Sequence, residues 1–285
     1  MKAIIKLTCY HFKSWRSDYH VLAAFLLGAA LCMKNCYGYL SFANGINSSV
    51  NVLEPYIIIG SRIPFLMGIL LGNLLLLSNA PFVSSVSKYE ILRVGYKKWY
   101  WSQIIYIFLT CILYSLYILT ITGIVALLYS NVDIQNMWSK SMDMIAVKQT
   151  DIVIKKYEFS FTFPEFISSV SPLIAAFLTV LFNSVYMVFI GVCIFVINLV
   201  SGSSFGWMVA AAIHMFGYIV YANGGFMMPL RYSLLCCCAP VYHYISDLKM
   251  PSGYSLCLFF VLIISIVLFG RKFISKSLIV DRDSK

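Results

Sequence analysis

The sequence predicts an all-α polytopic membrane protein with six transmembrane helices, and three observations predict it. Of 285 residues, 61% are hydrophobic and only 11% charged, where a soluble domain carries about 25% charged residues. The apolar residues come in continuous runs of the length a helix needs to cross the hydrocarbon core, roughly 20 residues, whereas a membrane barrel would show short alternating segments. The charge is also lopsided. Of 21 Lys/Arg and 11 Asp/Glu, the segments 1–20, 84–101 and 271–285 hold 13 and four, leaving eight and seven to the rest of the chain. That asymmetry fixes orientation, with basic loops and both termini in the cytoplasm. It accounts for the net charge of +10 without nucleic acid as a partner. The whole chain, 1–285, reads as one membrane domain.

Residues 1–19 read as an interfacial helix. At 100° per residue, Lys2, Lys6, Lys13 and Arg16 share a narrow stripe beside Phe12 and Trp15, a composition suited to the headgroup boundary. No small-residue cleavage site follows the first apolar run, so no cleavable leader is expected. The first span covers 21–42 and weakens where Lys34 and Asn35 intrude. An outer loop with the turn signal Asn44-Gly45 leads to the second span, 56–83. There Gly68 and Gly72 form a small-xxx-small pair that admits a neighbouring backbone, with Asn73 beside it. Arg62 stands next to Pro64 near the outer end. A charge at the bilayer centre is costly, so Arg62 belongs at the interface or facing a cavity.

The segment 87–101, SKYEILRVGYKKWYW, carries Lys88, Glu90, Arg93, Lys97 and Lys98 between two membrane-grade runs. Basic residues hold such a loop in the cytoplasm, and the density of charge also makes it a handle for a cytosolic partner. The third span is 102–129. Residues 130–165 form the largest segment outside the spans, with Asp133, Asp143, Asp151, Glu158 and Glu165. Tyr157–Phe163 alternates aromatic and polar residues at the period of a strand, so a small outer subdomain is expected, helical first and extended second. The fourth span, 172–199, contains Asn183. A short uncharged turn separates it from the fifth, 205–222, which contains His214. A lone histidine in an apolar helix reads first as a packed, hydrogen-bonded residue and second as a proton-handling group. Gly68, Gly72, Asn73, Asn183 and His214 are the candidates for helix packing or a translocation path. Between the fifth and sixth spans, Pro229, Pro240 and Pro251 alternate with apolar patches, which suits broken or re-entrant helices in the outer leaflet. The sixth span, 254–270, ends at Arg271, Lys272 and Lys276.

Nine cysteines show no disulfide or zinc spacing; the triplet Cys236-Cys237-Cys238 reads as packing of an interfacial helix. No phosphate loop, no His-Glu-x-x-His and no paired intramembrane carboxylates are present. The chain is therefore expected not to be an enzyme and to hold no metal or cofactor.

Six spans, cytoplasmic termini, a basic interfacial helix, a charged first cytoplasmic loop, a minimal second one and a broken segment before the last span resemble the type-2 ATP-binding-cassette (ABC) transporter permeases of bacterial exporters. Locally, Tyr89-Glu90-x-x-Arg93-x-Gly95-x-Lys97-Lys98-Trp99 is similar to that family's coupling-helix loop. The resemblance implies an export permease in the cytoplasmic (plasma) membrane. It implies two copies of an ATP-binding subunit carrying ATP and Mg, and a second permease chain, the same or related, as partners within the lipid bilayer. It assigns the ATPase-coupling contacts to Tyr89, Glu90, Arg93, Gly95, Lys97 and Lys98. The 36 residues from 130 to 165 depart from the short turn many members have. A wide, aromatic-rich, uncharged path suits an amphipathic cargo: a peptide, antibiotic or lipid-linked molecule. Two other classes stay open. The chain could be a sensing or immunity protein that binds a ligand through 130–165 without pumping it, or an intramembrane enzyme with His214 as first suspect.

Overall fold

The computed structural model describes residues 2–80, 91, 93–147, 156–157, 159–223, 230–248 and 250–283, the last with side chains to 273. The described chain is almost wholly helical. Four helices are long and apolar enough to cross a membrane, and a bent pair makes a fifth candidate.

Helix α1, Lys2–Ser14, buries Leu7, Thr8 and His11. Asp18 then caps α2, Tyr19–Gly45, its carboxylate accepting from the His20 N–H at 2.9 Å. That satisfies one of the free amides at a helix start. The second apolar run does not form one straight helix. It divides into α3, Glu54–Ser61, and α4, Ile63–Leu77, bent by 88°. Pro64 is the cause: its ring would strike the Gly60 carbonyl of a continuing helix and it brings no amide to bond there. Arg62 is left extended between the two, at φ −85° and ψ 117°. At 1.5 Å per residue, α4 alone measures about 22 Å, short of a 30 Å core.

Helix α5, Tyr96–Tyr129, starts six residues before the expected third span. Next come α6, Lys140–Val147, and α7, Pro164–Ser169. Between them, 159–163 forms no strand, yet it keeps the burial alternation that the sequence shows: Phe159 and Phe161 are buried, Ser160 and Thr162 are not. Helix α8, Pro172–Ser201, opens on a proline at its first turn and closes on Gly202 at φ 64°, the usual asymmetry of helix ends. α9, Gly206–Ala222, follows, then the four-residue α10, Leu234–Cys237, and two 3-10 turns at Pro240–Tyr244 and Ser246–Leu248. These short pieces are the broken segment expected there. The three cysteines of the triplet are free thiols, fully buried. α11, Ser252–Asp283, ends the described chain.

α8 is the axis of the bundle. In its most apolar stretch 83% of the residues are buried, against 22–39% in the other three long helices, which keep one face outward: Phe108, Leu109, Leu113 and Leu116 on α5, Phe260, Val261 and Ile264 on α11. An apolar exposed face of that extent suits lipid.

The bundle has two chemically different ends. At one, Tyr100 donates to the Val267 carbonyl at 2.8 Å, which brings the start of α5 to the middle of α11. At the same end, Asn198 donates to the Ala80 carbonyl and accepts from Gly206 N–H. At the other end the pairing of β1, Val50–Asn51, with β2, Val132–Asp133, ties the loop after α2 to the loop after α5. There Glu54 is fully buried. It accepts from the Tyr39 hydroxyl at 2.6 Å and from the amides of Ser139 at 2.7 Å and Asn51 at 2.8 Å.

Candidate functional site

The first candidate is the tip of α5. Ile91 and Arg93 are helical, and the Gly95 N–H closes that turn on the Ile91 carbonyl at 2.9 Å. Gly95 then takes φ 87° and ψ 143°, with nothing within 4 Å of where a Cβ would stand. Space does not demand the glycine; the backbone does, because this region is strained for every L side chain. The Gly95 carbonyl accepts from the amides of Lys98 and Trp99, both at 3.2 Å, as α5 begins. Arg93, Lys97 and Lys98 point to solvent while Trp99 and Tyr100 are buried. The Trp99 ring packs tilted against Tyr96 and Phe195. The exposed cations thus sit on a tip that aromatic side chains fix to the bundle. Tyr89 and Glu90 lie outside the described residues.

α1 lies against the same part of α5. Thr8 donates to the Ser102 carbonyl at 3.3 Å, His11 and Gln103 are 2.9 Å apart, and the Trp15 indole N–H donates to the Tyr106 hydroxyl at 2.6 Å. Burial pushes the His11 imidazole below its ordinary value, which favours the neutral ring against Gln103. Three segments remote in sequence therefore bring their cations to one end: Lys2, Lys6, Lys13 and Arg16; Arg93, Lys97 and Lys98; Arg271 and Lys272. Among the described side chains there, Asp18 is the one carboxylate. Beside them the Gly202–Ser204 turn and the residues just after α4, Ser78–Ala80, line an open cleft of about 470 Å³.

The interior candidates divide between two seams. On one, Gly72 leaves room for the Tyr114 hydroxyl, which donates to the Ile69 carbonyl at 3.2 Å; Gly68 only meets Leu31 at 3.4 Å. On the other, Asn73 on α4 donates to the Met187 carbonyl of α8 at 3.5 Å. His214 on α9 lies 2.9 Å from the Tyr186 hydroxyl through Nδ1 and 3.3 Å from the Met67 carbonyl through Nε2. A neutral ring satisfies both by accepting at Nδ1 and donating at Nε2. His214 is a packed, hydrogen-bonded residue joining α4, α8 and α9. Asn183 is elsewhere, against Gly60 at the end of α3. Among the described residues, no group of three or more His, Cys, Asp and Glu is arranged to hold a metal ion.

At the Glu54 end of the bundle, Asn136–Trp138, Asp143, Pro164 and the stretch 167–172 line an open cleft of about 540 Å³. Its walls are fixed by the Trp138 indole donating to the Val170 carbonyl at 2.7 Å and by Asn136 capping the Leu173 amide at 3.0 Å. Sequence reasoning named the segment but not this cleft, because its walls are 30 residues apart along the chain. Compared with protein-family models, with curated proteins and with solved structures, the chain matches none.

Proposed function

We propose that this chain is the membrane-spanning permease subunit of an ATP-driven exporter of the type-2 ABC kind. On this reading it crosses the plasma membrane six times with both termini in the cytoplasm. It pairs with a second permease, and it moves an amphipathic cargo while two copies of a separate ATP-binding subunit supply ATP and Mg chemistry. The observation that carries the reading is the basic end of the bundle. A soluble driver needs a stiff, charged contact, and Arg93, Lys97 and Lys98 stand on a tip anchored by Trp99 and Tyr100. Push on that tip and α5 moves as a rod, carrying α1, Tyr106 and Tyr114 with it. Positive charge at that end is also what holds it in the cytoplasm.

The test is reconstitution with the ATP-binding subunit in proteoliposomes. Glu90→Ala and Arg93→Ala are expected to insert normally while cargo-stimulated ATP hydrolysis falls to the basal rate. Full stimulation in both removes the coupling role. The outer cleft favours a second reading, a sensing or immunity protein that captures a ligand beside Trp138 and Asp143. In that case ligand capture survives Arg93→Ala unchanged and no ATPase is stimulated at all.

A further inference from the structure

Arg62 is the unresolved charge of this molecule. It occupies the break between α3 and α4, extended between two helices that meet at 88°. Gly60, two residues earlier, packs on Thr179 and Asn183, which lie about 11 and 17 Å along α8 at 1.5 Å per residue. The break is therefore well below the outer end of that helix. The guanidinium donates through Nη2 to the Ser160 hydroxyl at 3.1 Å and lies 4.1 Å over the Phe65 ring and 5.4 Å from the Phe159 ring. Its Nη1 is sealed from solvent and bonds to nothing among the described residues. The ionisable groups that act on it are the phenols of Tyr221 and Tyr242, and no described carboxylate does so. Two more buried polar atoms at the same break are unpartnered among the described residues, Ser61 Oγ and Asn183 Oδ1.

An arginine kept at such depth with no carboxylate partner among the described residues is costly and marks a functional position. The backbone adds to it. α4 begins at the break with no side-chain cap; Pro64 brings no amide and the Phe65 and Leu66 amides bond to the Arg62 carbonyl, so the Ile63 amide and the positive end of the helix dipole are what the backbone offers there. In membrane proteins, broken helices use such half-helix starts to meet anionic groups. The surrounding rings supply apolar wall and cation–π support rather than charge.

We propose that Arg62 anchors a binding site for an anionic headgroup, phosphate or carboxylate, borne on an apolar body. The head sits on the guanidinium and the start of α4, and the body lies against Phe65 and Phe159. This deepens the export reading by giving the amphipathic cargo a negative head. The site itself needs no ATPase partner, so the two can fail separately.

The test uses the full chain purified in an uncharged maltoside detergent, with melting followed as probe is added. Dodecyl phosphate and dodecanoate are expected to raise the melting temperature of the wild type, and dodecylphosphocholine and inorganic phosphate to leave it unchanged. Phosphatidylglycerol separates the sources: a matching rise identifies a lipid headgroup, and no rise identifies a cargo amphiphile, both within the proposal. Arg62→Gln should bind dodecyl phosphate at least about 10-fold more weakly, the weight of one charge-assisted hydrogen bond, while Arg62→Lys retains a smaller shift. Without probe, Arg62→Gln should melt no lower than the wild type, since it removes a charge that no described carboxylate offsets. Equal shifts with dodecyl phosphate and dodecylphosphocholine in the wild type overturn the proposal even if Arg62→Gln cannot be purified, as does an undiminished shift in Arg62→Gln. A full shift with inorganic phosphate alone overturns the apolar-body half.

Discussion

Glu54 is the residue on which the end of the bundle opposite the basic tip closes. Its two carboxylate oxygens take three donors, the Tyr39 hydroxyl and the amides of Asn51 and Ser139. The Ser139 and Ser141 hydroxyls bond to Tyr39 in turn at 3.1 Å. One side chain thus joins α2, α3 and the start of α6. Removing a charged acceptor strands buried donors, which costs more than the bond itself is worth. Glu54→Ala is expected to destabilise the chain by about 3 kcal/mol, read as a lower melting temperature and faster proteolysis within 136–147. Glu54→Gln should lose less, since its amide group keeps one acceptor but turns a donor towards a donor. The sequence left Glu54 as an ordinary loop acid. Its partners lie 15 and 85 residues away, and no local pattern announces such a pair. His214 was legible, because a single polar group in an apolar helix has to be bonded. Which partners it finds, Tyr186 and Met67, was not.

Among the elements, α4 shows how far a small-residue pattern can be read. Gly68 and Gly72 look equivalent in the sequence. Only Gly72 meets the inserted Tyr114 hydroxyl, with the Ala24 carbonyl at 3.3 Å from a Cβ, while Gly68 has room. Gly72→Ala is therefore expected to cost about 1–3 kcal/mol by overpacking. Gly68→Ala should be nearly neutral, and melting curves of the two side by side check the contrast. The long apolar helices were legible because 20-residue runs leave no other element to form. The 88° break was legible only as an Arg-Ile-Pro motif. A proline stops a helix, but the direction the chain takes next depends on α8 and Ser160, which no local stretch contains. The segment 130–165 shows the same division: of the alternating rings at 159–163, Phe159 and Phe161 are buried and Phe163 is half-buried, but no partner strand is at hand among the described residues, and the stretch stays irregular.

For the molecule as a whole, the account rests on polarity between ends. Cations from α1, the tip of α5 and Arg271 and Lys272 of α11 gather at one end. Buried Glu54, the β1–β2 pairing and the Trp138 cleft form the other. In the export reading we propose, the first end takes force from a soluble partner and the second meets cargo. The measurement closest to that claim is two-sided labelling with a membrane-impermeant maleimide, on chains with Cys9 and Cys257, the exposed cysteines, replaced by serine. The account predicts that Met137→Cys reacts in intact cells while Lys97→Cys reacts only in inside-out vesicles. Labelling of Lys97→Cys from outside intact cells would put the basic tip on the wrong side of the membrane and contradict it.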